Sequence, residues 1–201
     1  MRFRLQPESA IRLWTRRARV CCALLVFSCL STLCQTQDKA AFTPYDVEVA
    51  YLYNFGKFVR WPSLTEANSQ PFSICILGQD NLGKKLDDTI AGETIQGRKI
   101  VAIHLSSAEG ADQCQIVFIG PSEDTRLAKD LVALQEKPVL TVSSNPEFLE
   151  RGGIIQFFIQ NNRVRFAVNL PAAKRAALEL SSELLKVAAY VKTDASKEAR
   201  K

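Results

Sequence analysis

Phe72-Ser73-Ile74-Cys75-Ile76-Leu77-Gly78 is a short apolar run that ends in glycine. No charge interrupts it, and its length suits a strand. It therefore reads as the first, central strand of an α/β sheet, covered on both faces. A second run of the same kind, Gln115-Ile116-Val117-Phe118-Ile119-Gly120, follows Cys114. Two buried strands, each ending at a glycine and each associated with one cysteine, suggest a sheet stapled by a disulfide between Cys75 and Cys114. The alternative is a pair of unlinked buried thiols, since free cysteine packs as a small hydrophobe.

Charge narrows the function classes. The chain of 201 residues has a net charge of +5. Six arginines (Arg2, Arg4, Arg12, Arg16, Arg17 and Arg19) against the single acid Glu8 place all of it in residues 1–34. The remainder holds 20 basic and 20 acidic residues. A basic nucleic-acid footprint is therefore not supported. The basic start is followed by an apolar run, Val20 to Leu33, of 14 residues. Such a helix would reach about 21 Å, short of the roughly 30 Å hydrocarbon core. A signal peptide over residues 1–34 is the better reading, with an uncleaved anchor as the alternative, and it implies export. Thr32-Leu33-Cys34 is a poor cleavage triplet, and Thr15-Arg16-Arg17 resembles a twin-arginine signal only as arginine-rich leaders do by chance.

Cysteine usage agrees with export. Of six cysteines, Cys21, Cys22, Cys29 and Cys34 lie in the leader. Cys75 and Cys114 remain, an even number for an oxidising compartment. One histidine and no CxxC argue against a metal site, and no cofactor is expected. The remaining chain, roughly 165 residues, makes one ordinary domain. It has no further membrane-length apolar segment and no repeats.

The pattern along the chain predicts a disordered lead-in at 35–42, one α/β domain at 43–191 and a charged tail at 192–201. Thr43-Pro44-Tyr45-Asp46 opens a helix, with Thr43 as N-cap and Pro44 in the first turn, running to about Arg60. Val47, Tyr51, Phe55 and Phe58 recur on it at helical spacing, and Pro62 stops it. After the Phe72 strand come a helix from Leu82 to Ile90, a turn at Ile95–Arg98 and a strand from Lys99 to His104. The Cys114 strand, a helix from Asp124 to Leu134 and a strand at Val139–Val142 follow, then a short capped helix at Asn145–Leu149. Ile154–Gln160 and Arg163–Asn169 form a hairpin across Asn161-Asn162, because asparagine tolerates the left-handed conformation such turns require. Val164, Phe166 and Val168 face one way, and Arg163, Arg165 and Asn169 the other. A helix at Pro171–Ala177, an extended Leu178–Leu180 and a helix at Ser182–Val191 complete the chain. Together these elements predict a single-domain, mostly parallel sheet of the three-layer Rossmann-like kind, with an antiparallel C-terminal hairpin at its edge.

Candidate sites are few. Gly78-Gln79-Asp80-Asn81-Leu82-Gly83-Lys84 has P-loop spacing, but Lys85 stands where Ser or Thr would hold Mg²⁺, so it reads as an ordinary strand-to-helix turn. His104 is alone, and no GxSxG elbow accompanies Ser106 or Ser107. No nucleophile–base pair emerges, and the protein is not expected to be an enzyme. Tyr51, Tyr53, Phe55, Phe58 and Trp61 form an aromatic stripe, mostly core and partly available to a partner. Arg163 and Arg165, with Asn169, are either solvated strand positions or contacts to a partner's carboxylates or backbone.

Tyr51-Leu52-Tyr53-Asn54-Phe55-Gly56-Lys57-Phe58-Val59-Arg60-Trp61-Pro62 resembles the opening signature of the YfiR family of periplasmic proteins. So do Gly152-Gly153-Ile154-Ile155-Gln156-Phe157, Asn161-Asn162-Arg163-Val164-Arg165-Phe166, Asn169-Leu170 and Ser181-Ser182-Glu183-Leu184-Leu185-Lys186-Val187-Ala188. The resemblance covers about residues 45–190. It implies a non-enzymatic periplasmic protein that binds and represses an inner-membrane diguanylate cyclase, and so modulates cyclic di-GMP and biofilm. A sensor kinase's periplasmic domain is a related partner, an outer-membrane lipoprotein relieves the repression by sequestration, and homodimers form among members. Cys75 and Cys114 sit where a family disulfide is expected, while Ala167 stands where the family often has an acid. The partner-binding residues expected here are Tyr53, Phe58, Trp61, Arg163, Arg165 and Asn169. The competing reading is a periplasmic small-ligand sensor or solute-binding domain, with its pocket at the strand ends near Gly78 and Gly120.

Overall fold

The computed structural model describes residues 43–62, 64, 70–79 and 81–194. The expected signal peptide and lead-in lie outside the described residues. Helix α1 spans Pro44–Phe58. Its start is as read: the Thr43 hydroxyl accepts the Asp46 N–H and the Asp46 carboxylate accepts the Thr43 N–H, a reciprocal capping box. Lys85 adds an ion pair to Asp46 at 2.5 Å. Hydrogen bonds first from Lys85 and then from Thr43 hold the Asp46 carboxyl at about 2. A depressed carboxylate pKa contributes stability above its unfolded value, and that contribution is lost as pH falls towards 2.

The main sheet has eight strands. In chain order after β1 (Val59–Arg60) they are β2 (Phe72–Leu77), β3 (Thr94–Ile95), β4 (Arg98–Leu105), β5 (Ile116–Ile119), β6 (Leu140–Ser143), β7 (Ile155–Gln160), β8 (Arg163–Asn169) and, after the short β9 (Glu179–Leu180), β10 (Tyr190–Lys192). Their lateral order is β10-β8-β7-β6-β5-β2-β4-β3, while β1 and β9 form a separate two-stranded ribbon. Strands β4, β2, β5, β6 and β7 run parallel, and β7–β8 is an antiparallel hairpin. Asn161 and Asn162 take positive φ angles of 50° and 57° in its turn, as expected. Gln96 and Gly97 do the same between β3 and β4.

Every residue of β2 is buried. Phe72, Ile74 and Ile76 join one core cluster with α1 and α2 (Leu82–Ile90). Cys75 and Leu77 join a second cluster with α3 (Leu127–Leu134) and the tight helical segment Ala108–Gln113. This is the three-layer α/β arrangement read from the sequence. Cys75 and Cys114 are disulfide-bonded, with Cα atoms 5.9 Å apart and a sequence separation of 39.

Several boundaries differ from the sequence reading. Helix α1 stops at Phe58 because Val59–Arg60 pairs with Glu179–Leu180. Its buried face is Val49, Leu52, Phe55 and Gly56, so Phe58 points to solvent. Helix α3 begins at Leu127, not Asp124, because the Glu123 carboxylate takes the Arg126 guanidinium (Nε at 2.9 Å) and holds that stretch in a turn. Asn145–Leu149 is a run of turns rather than a helix, since the Asn145 carbonyl Oδ1 accepts the Glu147 N–H at 2.9 Å. Helix α4 is Leu170–Arg175. Helix α5 spans Ser182–Val187, where Ala188 turns extended and the Ala189 N–H donates to Phe166 O at 2.9 Å. Tyr190–Lys192 then pairs parallel with Ala167–Asn169. Lys192 therefore belongs to the domain and not to a tail, and β10 lies outside the hairpin. On β8 the alternate face is wet only near the tip, for Ala167 and Asn169 are buried as well.

On the chain-entropy account, the 39-residue closure stabilises the fold by roughly 4 kcal/mol. A variant carrying Cys75→Ala and Cys114→Ala is expected to lose most of that in urea unfolding. Unchanged unfolding midpoints would count against a stapling role for the bond.

Candidate partner-binding surface

The strand carboxyl ends are where an open α/β sheet usually binds a ligand, at the point where strand order reverses. Here that point lies between β2 and β5, beside Gly78 and Gly120. The chain closes it. Gly78 has φ +85°, and a Cβ there would sit 2.7 Å from Glu123 Oε1. The Gln79 N–H donates to Ser122 Oγ at 2.8 Å, and Ser122 Oγ donates to Glu123 Oε1 at 3.2 Å. Glu123 is 4% exposed. Among the described residues, an open depression of about 320 Å³ remains outside, lined by Tyr45, Gln79, Asn81 and Pro121. The P-loop-like stretch thus opens α2 as an ordinary turn. His104 stands on the strand surface, 3.5 Å from the Asp87 carboxylate, with its ring against Gly83. Among the described residues no group of three or more His, Cys, Asp or Glu is placed to hold a metal.

One buried carboxylate near this end is incompletely bonded. Asp130 on α3 is 7% exposed, and its Oδ2 has no hydrogen-bond partner. Burial, and then the neighbouring Glu123 charge, raise its pKa.

Among the described residues, the opposite end of the sheet is open. α1 runs from the strand carboxyl ends, where the Glu48 carboxylate accepts from Ser144 Oγ at 3.0 Å, to the β1–β9 ribbon at the other end. There an open cleft of about 570 Å³ is lined by Lys57, Phe58, Arg60, Trp61, Glu179 and Leu180 among others. The ribbon fixes its floor: Val59 pairs with Leu180, Arg60 pairs with Glu179 along the backbone and through their side chains, and the Ser181 N–H donates to Phe58 O at 2.9 Å. Phe58 is 42% exposed beside it. Lys57 Nζ stands 3.8 Å over the Tyr53 ring, whose hydroxyl donates to Glu93 Oε2 at 2.7 Å. The cleft thus offers an aromatic face and a cation held by a ring, ringed by polar groups. That combination suits an apolar side chain or an extended segment better than bond-breaking chemistry.

The six expected partner residues divide. Phe58 lines the cleft from α1, and Tyr53 stands one turn before Lys57 on the same helix, packed partly against the core. Trp61 lines it but is 3% exposed, packed edge-on against Phe72 with ring centroids 5.2 Å apart, and its indole N–H has no acceptor. Its ring is therefore core rather than docking surface. Arg163 and Arg165 are at the far end of the sheet, near the hairpin tip. Arg163 is exposed there, and Arg165 is half-buried opposite Phe158. Asn169 is buried and structural: its Nδ2 donates to Leu149 O at 3.1 Å and its Oδ1 accepts the Ala172 N–H at 3.2 Å, capping α4. Sequence reasoning missed Arg60 and Glu179 as a pair, because 119 residues separate them. The extended Leu178–Leu180 was the available signal.

The fold is a single α/β domain with a disulfide-stapled central sheet. Within that class, the chain belongs to the YfiR/HmsC-like family, which it matches over residues 45–189. A conserved domain protein from Vibrio cholerae O1 biovar El Tor shares the fold with a TM-score of 0.52 at 13% identity, over 75% of this chain and 61% of that one. An ABC domain in complex with L-Trp from Streptococcus pneumonia gives a TM-score of 0.49 at 12% identity, over 74% of this chain and 60% of that one. The chain spans about three-fifths of the length of both solved chains.

Because its pKa is raised in the fold, Asp130 binds a proton more readily folded than unfolded, so its unfavourable contribution grows as pH rises through that pKa and fades in acid. Asp130→Asn is expected to raise stability at pH 7 by about 1 kcal/mol and to do less as pH approaches 4. An equal effect at both pH values in thermal unfolding would contradict the role given to its charge.

Proposed function

We propose that this protein is a periplasmic regulatory binding protein that binds and represses an inner-membrane diguanylate cyclase, and so modulates cyclic di-GMP and biofilm formation. The observation that carries the reading is family membership over residues 45–189, nearly all of the described domain. The Cys75–Cys114 bond supports an oxidising compartment. No helix among the described residues is long and apolar enough to cross a membrane. The role is binding without catalysis: the partner's periplasmic part sits on the cleft at the β1–β9 ribbon, with Phe58 and Tyr53 as aromatic anchors. Arg163 and Arg165 form a separate surface at the other end, suited to a second partner such as a sequestering outer-membrane lipoprotein. The packing of Ser122 and Glu123 over Gly78 favours this reading over a small-ligand sensor with its pocket at the strand ends.

Affinity capture from native envelopes, followed by mass spectrometry, tests this. Tagged protein is expected to enrich a membrane diguanylate cyclase. Phe58→Ala should weaken that capture by about tenfold or more, as truncation of an aromatic anchor does, without moving the melting temperature. Recovery of no membrane enzyme, or capture indifferent to Phe58, would overturn the reading.

A further inference from the structure

The closure over Gly78 is a chain of polar contacts that ends at one cation. The Gln79 N–H donates to Ser122 Oγ at 2.8 Å, and Ser122 Oγ donates to Glu123 Oε1 at 3.2 Å. The other oxygen, Glu123 Oε2, accepts Arg126 Nε at 2.9 Å and Nη2 at 2.5 Å. The Glu123 side chain is 5% exposed and that of Arg126 is 54% exposed. A buried carboxylate is thus kept charged by a guanidinium that stands half in water. Taking that guanidinium away would leave the charge uncompensated.

Arg126 has a second carboxylate within reach. The Asp130 N–H donates to Arg126 O at 3.0 Å, the bond of one helical turn. Glu123 lies three positions before Arg126 and Asp130 four after it, the two spacings at which helical side chains meet. Asp130 is 7% exposed, yet its Oδ2 has no hydrogen-bond partner among the described residues. Burial raises its pKa most, and the Glu123 charge next; Arg126 and Lys129 pull it down, and Glu109 adds a smaller push upward. Lys129 is exposed. Other charges of the neighbouring elements are engaged: Asp112 with Lys137 at 2.6 Å, Asp124 with Asn145 Nδ2 at 2.8 Å, and Glu109 with the Ser107 hydroxyl. Two buried carboxylates therefore compete for one guanidinium.

We infer that Arg126 works a pH-dependent latch over the strand ends: it stays on Glu123 while Asp130 is protonated and moves to Asp130 when that carboxyl ionises. The observed arrangement, with Asp130 Oδ2 unpaired, is the one a neutral carboxyl tolerates. Once ionised, Asp130 is a buried charge lacking a hydrogen bond, which is costly. Rotation of the exposed Arg126 side chain is the smallest movement that relieves it. Glu123 then loses its counter-charge, and the contacts it orders through Ser122 to Gln79 loosen. The coupling is reciprocal: the Glu123 charge holds the proton on Asp130, so that proton favours the closed Glu123 network. The sign follows from the raised pKa. Asp130 keeps its proton to higher pH than an ordinary aspartate, so the latch is closed below that raised value and loosens above it. What loosens is the crevice beside Gly78, next to the depression lined by Tyr45, Gln79, Asn81 and Pro121. The device lies at the end of the sheet away from the ribbon cleft and does not depend on the partner proposed there.

Amide exchange of the exported protein tests the latch. Gln79 is exposed, so its N–H is shielded through the bond to Ser122. With the chemical exchange rate at each pH divided out, its protection is expected to fall about tenfold from pH 4 to pH 7, the loss of one charge-supported hydrogen bond. Asp130→Asn cannot ionise, and is expected to keep the acid level of protection at both pH values. A merely structural Asp130 would not move this pH profile. Should that variant fail to fold, an NMR titration of the unaltered protein decides. The Asp130 carboxyl carbon, the Arg126 Nε–H and the Gln79 amide are expected to shift with one common midpoint. Gln79 protection that ignores pH, a pH dependence that survives Asp130→Asn, or an Arg126 Nε–H that stays still while Asp130 titrates would each overturn the inference.

Discussion

Everything in this fold depends on burying β2 on both faces. Phe72, Ile74 and Ile76 need an apolar layer on one side, and Cys75 and Leu77 need another on the other. A strand with two apolar faces cannot lie at a sheet surface. That constraint calls for α1 and α2 above and for α3 with the Ala108–Gln113 segment below. It also calls for the parallel neighbours β4 and β5, because buried backbone groups must be paired. The disulfide ties β2 to the entry of β5, the side on which the strand order turns. Aromatic packing extends the same layer outward: Tyr51 and Phe55 meet Phe157 and Phe166 at centroid separations of 5.1–5.9 Å, joining α1 to the hairpin.

From this frame the two ends of the sheet acquire opposite characters. At the carboxyl ends, the link from β5 to α3 folds back over Gly78, and Ser122, Glu123 and Arg126 satisfy one another. Of the buried groups near there, Asp130 Oδ2 is left without a partner among the described residues. At the amino ends, the chain leaving α1 is caught in a two-residue ribbon with β9, too small to cover its surroundings. The result is an open cleft floored by a Trp61 ring whose N–H is unpaired, a cost to the fold.

The sequence made legible what is local or periodic. The β2 run, the capping box at Thr43, the Asn161-Asn162 turn and the Leu127, Leu131, Leu134 face could all be read from neighbours within a few residues. The parts that were missed are decided by distant pairings. Val59–Arg60 looks helical until Glu179–Leu180 arrives to pair with it. Tyr190–Lys192 looks like the end of a helix and the start of a tail until the free edge of β8 takes it as a strand. Phe58 shares helical spacing with Val47 and Phe55, but the true inward stripe is shifted to Val49 and Leu52, because Gly56 lets Ile95 and Phe72 approach the helix there. Of the candidate site, the aromatic stripe was visible, and the division between buried Trp61 and exposed Phe58 was not.

Hydrogen–deuterium exchange of the exported protein, with and without the periplasmic part of the captured cyclase, tests the central claim most directly. The account expects new protection at residues 53–61 and 179–181, around the ribbon and its cleft. Protection confined to Gly78, Gln79 and Pro121 at the closed end of the sheet, with the ribbon unchanged, would contradict it.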